Sequence, residues 1–394
     1  MVPRAEAVDT LWRQPGITRL LMVTLLGFTG FAATLGSLPW WAAQGGASVS
    51  TAGLVTTAML VSTVATQATV PAVGRRLGSG RGRAIGLLAL GAPCPVYALF
   101  TDLGPLLAIS AVRGVGFALL TVIGSTLTRM LAPPGRHGEA AGLYGLMIGA
   151  TAMVVVPGAV ALGQAFGYGP VAVLASLPVL AIPMALKLSE GRDVDVAEPS
   201  GIGHRQAVLR VLLPSLLLLV VTLAGSGLVT FVPIERPAGL LAATVLLAFG
   251  VASAVGRWRV GALADRIGTQ MLLPVSLATT AAGLAAVAVG LAASSSAVLI
   301  VAAAAVCGLG YGAVQNLTLV VAFARVDPVD VPTASAAWNI AFDAGTAVGA
   351  VAVGAVAAMG ADPGGDGGLG VAVALGLCAV LLALVVPLST RAAQ

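Results

Sequence analysis

Charge is the scarcest resource of this sequence: 9% of its 394 residues are Asp, Glu, Lys or Arg, against about 25% in a soluble domain. So few charges cannot cover a water-facing surface, which excludes a soluble enzyme, a disordered chain and a nucleic-acid binder. Histidine is nearly missing. His137 and His204 are the only two, both outside the apolar runs, too few for most metal sites. The three cysteines, Cys94, Cys307 and Cys378, all lie within apolar runs, so neither a disulfide framework nor a zinc cluster is available. No G-x-x-x-x-G-K-[ST] loop is present, so no nucleotide on this chain supplies energy. No cofactor is expected.

What fills the chain instead is apolar sequence, 58% of it. With about 20 apolar residues per bilayer crossing, the runs between Gly, Pro and charged punctuation predict twelve segments. They cover 17–42, 49–73, 84–101, 105–131, 139–166, 170–188, 208–233, 239–257, 269–292, 296–324, 332–360 and 369–389. The fold class is therefore an all-α membrane protein embedded in a lipid bilayer. The long polar interval 189–207 separates an N-terminal six-helix bundle, 1–188, from a C-terminal one, 208–394.

The basic residues orient this array. Arg75, Arg76, Arg81 and Arg83 fall between segments two and three, and Arg257, Arg259 and Arg266 between eight and nine. With the remaining loop arginines and Lys187 they occupy one side of a twelve-crossing chain; only Arg113 and Arg236 do not. The positive-inside rule puts that side, with both termini, in the cytoplasm of a multi-pass protein of the cytoplasmic (inner) membrane.

The halves repeat. Arg113-Gly114-Val115-Gly116-Phe117 in segment four returns as Cys307-Gly308-Leu309-Gly310-Tyr311 in segment ten, and the same offset carries Tyr144 onto Trp338 and Gly149 onto Asp343. Duplicated six-helix halves place a substrate site near mid-membrane between them.

The loop Gly261-Ala262-Leu263-Ala264-Asp265-Arg266-Ile267-Gly268 resembles the G-x-L-A-D-R-x-G loop of the major facilitator superfamily, in its second-half copy. Gly261 suits close packing and Gly268 a turn, and Asp265 can face the amino terminus of a neighbouring helix. The first-half stretch, PAVGRRLGSGRGR at 71–83, matches at Gly74 but has Gly78 and Ser79 where the family has Asp and Arg. Arg113 before Gly-x-Gly resembles the family's embedded arginine motif, which implies a link to proton transfer. Gly145, Gly149, Pro157 and Gly158 resemble the antiporter motif of segment five only in part; they permit a kink and close helix approach. The resemblance implies two pseudo-symmetric six-helix bundles of the drug:proton antiporter type.

Arg113 and Asp343 are the two charges well inside segments, and such residues are functional candidates by default. Three readings stand: Asp343 is a proton or cation site tuned by Arg113; Arg113 anchors an anionic substrate with Asp343 as its resting partner; or both are structural. Asn339 shares a helix face with Asp343. Gln315, Asn316 and the stripe Thr222, Ser226 and Thr230 fall on segments that line the cavity in the resembled family, and are candidate substrate contacts. For the stripe, hydrogen bonding between helices is the stronger alternative. Gly345 and Gly349 read as a packing seam.

These readings favour a monomeric secondary transporter that exports a small lipophilic or amphipathic molecule against proton entry. The alternative is proton-coupled uptake of an organic anion with Arg113 as anchor. A membrane-embedded enzyme or a channel is a remote third, because no acid–base cluster or embedded histidine is present.

Overall fold

The computed structural model describes residues 10–188, 203–235, 241–293, 296–359 and 368–393. Most of the expected linker 189–207, and Arg236, lie outside them. The described residues form helices throughout, with no strand among them. A backbone in hydrocarbon has to satisfy its hydrogen bonds within its own segment, which long apolar helices do.

The first half contains α1 (Pro15–Leu35, continued by Ser37–Gln44), α2 (Leu54–Gln67), α3 (Val70–Gly91), α4 (Leu103–Leu131), α5 (His137–Phe166) and the broken span α6 (Tyr168–Lys187). The second half contains α7 (Gly203–Glu235), α8 (Leu241–Ile267), α9 (Leu272–Ala292), α10 (Ala297–Ala324), α11 (Val331–Met359) and α12 (Gly368–Ala393). Eleven spans are long and apolar enough to cross a bilayer, and α2 is a shorter apolar helix. Each half packs an apolar core, and Ala336 of α11 joins one of those of the first half.

Glycine contacts fix how the halves correspond. α4 and α10 begin at Leu103 and Ala297, and α5 and α11 at His137 and Val331, both 194 positions apart. Gly116 of α4 lies against the carbonyl of Gly86 and the amide of Leu90, and Gly310 of α10 against those of Ser276 and Thr280. Gly114 and Gly308 likewise meet the carbonyls of Met59 and Phe249. The second and third helices therefore map onto the eighth and ninth with an offset of 190, not 194.

That register revises the expected loop match. Gly78 and Gly268 both take a positive φ, +76° and +82°, which favours glycine, and both end a helical stretch at the same turn. Gly78 is thus the counterpart of Gly268, Arg76 of Arg266, Arg75 of Asp265 and Pro71 of Gly261. Gly74 corresponds to Ala264, and nothing lies within 4 Å of where its Cβ would be. The first-half copy is a charge reversal at the acidic position rather than a loss of it.

The placement of two arginines also differs from the loop reading. α3 and α8 extend further than the apolar runs suggested, so Arg83 and Arg257 sit inside helices; Arg83 is fully buried.

Candidate functional site

A cavity lies between the halves. Phe28, Phe117 and Thr121 line it from α1 and α4, Ala141, Tyr144, Gly145 and Ile148 from α5, and Arg257 from α8. Gln315, Asn316 and Leu319 of α10 and Trp338, Asn339, Phe342 and Asp343 of α11 complete it. It holds about 530 Å³ of atom-free space, open solvent included. The walls are aromatic: Phe28 and Phe117 meet edge to face at 5.4 Å, and Trp338 and Phe342 stack at 5.7 Å. Trp338 is held by its indole N–H, which donates to Thr318 Oγ1 at 3.1 Å.

The structure separates the two embedded charges. The Arg113 guanidinium donates through Nε to Leu90 O at 2.9 Å, through Nη1 to Thr34 Oγ1 at 2.7 Å and through Nη2 to Gly30 O at 2.7 Å, with the Tyr97 ring 5.5 Å away. It ties α1, α3 and α4 together and is not on the cavity wall. Its charge is spread over carbonyls and a ring face, which satisfy donors without a counter-ion. The charge pair with Asp343 is not formed, since the partners of Arg113 are Leu90, Thr34 and Gly30. Asp343, 8% exposed, instead accepts from Gln67 Nε2 at 2.6 Å.

Gln67 was invisible as a site residue in the sequence, where it is one amide near the end of an apolar run. In the corrected register it is the counterpart of Arg257. Each reaches from the second helix of its half towards the fifth helix of the other: Gln67 to Asp343, and Arg257 along Gly145, where its side chain fills the place of a Cβ.

The other candidates divide. Asn339 Nδ2 donates to Ser335 O at 2.8 Å and to Ser125 Oγ at 3.1 Å across the halves. Asn316 Nδ2 donates to Arg257 O at 2.9 Å and Gly138 O at 3.2 Å; its Oδ1 and the Gln315 Nε2 are buried without a partner among the described residues. All three amides line the cavity. The α7 stripe does not. Thr222 donates to the carbonyls of Leu218 and Leu219 and packs on Gly345, Ser226 donates to Thr346 O at 2.8 Å, and Thr230 is exposed. Small residues let helices approach closely in lipid, and Gly345 and Gly349 lie on the backbone of Leu219 and Leu223, a packing seam between α7 and α11. A Cβ on Gly149 would meet Ala254 at 3.6 Å, α5 runs through Pro157 unbroken, and Gly158 has open space.

The C-terminal end of α8 joins the halves at the start of α5. Asp265 accepts from the backbone N–H groups of Gly138 and Glu139, both at 2.8 Å. These are unpaired first-turn donors of α5, so the carboxylate caps them and meets the positive end of the helix dipole. Gly261 and Gly138 allow the contact, since each backbone fills the space a Cβ of the other would need. Arg266 points out, exposed. All described hydrogen bonds between the halves lie from the level of Asp343 towards this end, which we call the basic face. On the same face Arg325 donates to the carbonyls of Arg210 and Arg391.

Comparison with known proteins agrees with this architecture. The family model described as the Major Facilitator Superfamily matches residues 20–350. No curated protein matches. Among solved structures, the chain is similar to a bacterial homologue of the iron transporter ferroportin in an outward-facing state, at 16% identity and TM-score 0.70, covering 95% of this chain and 99% of that one. It is also similar to the human organic anion transporter MFSD10, at 15% identity and TM-score 0.72 over 96% and 99%, and to the E. coli fucose:proton symporter, at 14% and 0.66 over 93% and 98%. Identities this low speak for the fold alone. Two pseudo-symmetric helix bundles around a central cavity, with a family match over most of the length, establish the chain as a multi-pass secondary transporter of small molecules, not an enzyme, and it belongs to the Major Facilitator Superfamily.

Proposed function

We propose that the chain couples transport to protons through Asp343. The supporting observation is the setting of that carboxyl group: on the cavity wall, buried, bonded to Gln67 of the other half and to no cation. A buried carboxylate without a counter-ion is costly. Taking up a proton removes the charge and alters its contact with Gln67, so loading and unloading the proton acts directly on the joint between the halves. The charged and titratable groups sharing its cavity are Arg257 and Tyr144.

The substrate is a small amphipathic compound. Phe28, Phe117, Trp338 and Phe342 suit an apolar body, and Gln315, Asn316 and Arg257 offer polar contacts. Coupling then has two senses. A neutral or cationic substrate that displaces the proton gives exchange and export. An anionic substrate that binds together with the proton gives cotransport and uptake. Arg257 favours the second sense. Its guanidinium has no hydrogen bond or ion pair among the described residues, so it is available to a substrate anion. Cotransport of a proton with a small amphipathic anion is the reading these groups support best, with Arg257 rather than Arg113 as the anchor. Export draws its support from the aromatic wall and from Asp343. In both, the basic face is cytoplasmic, and the cap at Asp265 holds that side shut while the cavity loads from outside.

The test uses reconstituted protein and 1-naphthalenesulfonate, whose strong acid does not cross bilayers in neutral form. An inward proton gradient should accelerate uptake by the wild type and not by Asp343→Asn. Gradient dependence that survives in Asp343→Asn overturns the assignment. Proton-driven expulsion of tetraphenylphosphonium without any uptake of the sulfonate would turn the reading to export.

A further inference from the structure

Two arginines that the proposed proton step does not use converge on Tyr144. Arg83 of α3 is 0% exposed, and none of its three guanidinium nitrogens has a partner among the described residues. Arg257 of α8 comes from the other half to line the cavity beside the same tyrosine. Glycines make the room. The place of a Cβ on Gly124 is 2.6 Å from the Tyr144 hydroxyl and 3.2 Å from Arg83 Nη2, and that on Gly145 is filled by the Arg257 side chain.

No carboxylate among the described residues answers these charges. Asp265 is committed to the α5 amides, Glu139 to Arg136, and Asp343 to Gln67. Two cations, one from each half, therefore stand near Tyr144 without a counter-ion. Arg113, equally buried, shows the contrast: each of its guanidinium nitrogens has an acceptor. A guanidinium with idle donors in a dry site is a recognition group for an oxyanion.

We propose that Arg257, Tyr144 and Arg83 form the subsite for the anionic head group of the substrate, a carboxylate or sulfonate on an apolar body. The head group reaches Arg257 and the Tyr144 hydroxyl from the cavity, and Arg83 acts from behind Tyr144. The anion supplies the counter-charge that no carboxylate among the described residues gives to either arginine. This assignment rests on the cavity being the substrate site, as argued above.

Equilibrium binding to purified protein tests it. Arg257→Gln should weaken 1-naphthalenesulfonate on the order of tenfold and Arg83→Gln several-fold, the scale of a lost charge-assisted contact. Neither should change binding of uncharged 1-naphthalenemethanol, and neither should lower the melting temperature, because each removes a cation without a counter-ion among the described residues. Equal loss of both probes, or no loss of the sulfonate, overturns the subsite. A lower melting temperature in either glutamine variant, if Arg→Lys restores stability without sulfonate binding, also overturns it in favour of a structural role. Inorganic sulfate binding as tightly as the naphthalenesulfonate would reassign the site to a free anion and overturn the substrate assignment. The two proposals fail separately: pH-independent sulfonate binding sinks proton cotransport alone, and retained binding in the arginine variants sinks the subsite alone.

Discussion

The two halves join across two symmetric crossings, and the crossings are built differently. Where α8 meets α5, backbone lies on backbone at Gly138 and Gly261, and Asp265 caps two amides. Where α2 and α4 meet α11, the contact is made by side chains: Gln67 with Asp343, and Ser125 with Ser335 and Asn339. In the first crossing a carboxylate accepts from two backbone amides at a helix end; in the second a buried carboxyl group accepts from one side-chain amide. One duplicated framework thus supplies a helix cap on one side and, in the proposed function, the proton-carrying contact on the other. The receiving helix ends explain why the acid is not repeated. The N–H donor Gly138 has Pro332 as its counterpart on α11, and proline has no N–H to offer. A carboxylate at position 75 would face one amide fewer, and an arginine stands there instead.

This contrast can be broken in graded steps. Gly138→Val should do most damage, since overpacking costs about 1–3 kcal/mol and here separates two backbones. Transport should fall by at least an order of magnitude, while circular dichroism shows the helices intact. Asp265→Asn is expected to come next. Loss of a charged cap costs roughly 1 kcal/mol, enough to raise the population open at the basic face several-fold, read as faster labelling of a cysteine introduced at position 142. Arg75→Asp should have the smallest effect, within about 0.5 kcal/mol as for other exposed substitutions. Combined with Pro332→Gly it should slow opening, because the missing donor is then restored. If Arg75→Asp alone matched the effect of that double variant, proline would not be the reason for the asymmetry.

The fold was legible because membrane helices are written in composition: long apolar runs, Gly and Pro punctuation and one-sided arginines locate the crossings with no tertiary information. Asp265 was legible too, since an acid in a glycine-bounded turn has few uses other than capping a helix. Gln67, Arg83 and Arg257 were not. Each lies near the end of an apolar run, where a polar residue reads as the start of a loop. The space for Arg83 and Arg257 depends on glycines far away in sequence, Gly124 and Gly145 on other helices, and the partner of Gln67 is Asp343 of the other half. Arg113 shows the opposite limit. Its depth was evident from its segment, but the carbonyls of Gly30 and Leu90 that absorb its donors leave no mark in the sequence. The shift from 194 to 190 between equivalent helices was hidden as well, because it arises between α3 and α4 and between α9 and α10, which differ in length between the halves.

The most direct measurement of coupling is proton uptake on binding in weakly buffered solution. Proton cotransport through Asp343 predicts that wild-type protein takes up a proton as 1-naphthalenesulfonate binds, and that Asp343→Asn binds the anion with no proton uptake. Equal proton uptake by both proteins, or proton release by the wild type, would contradict it.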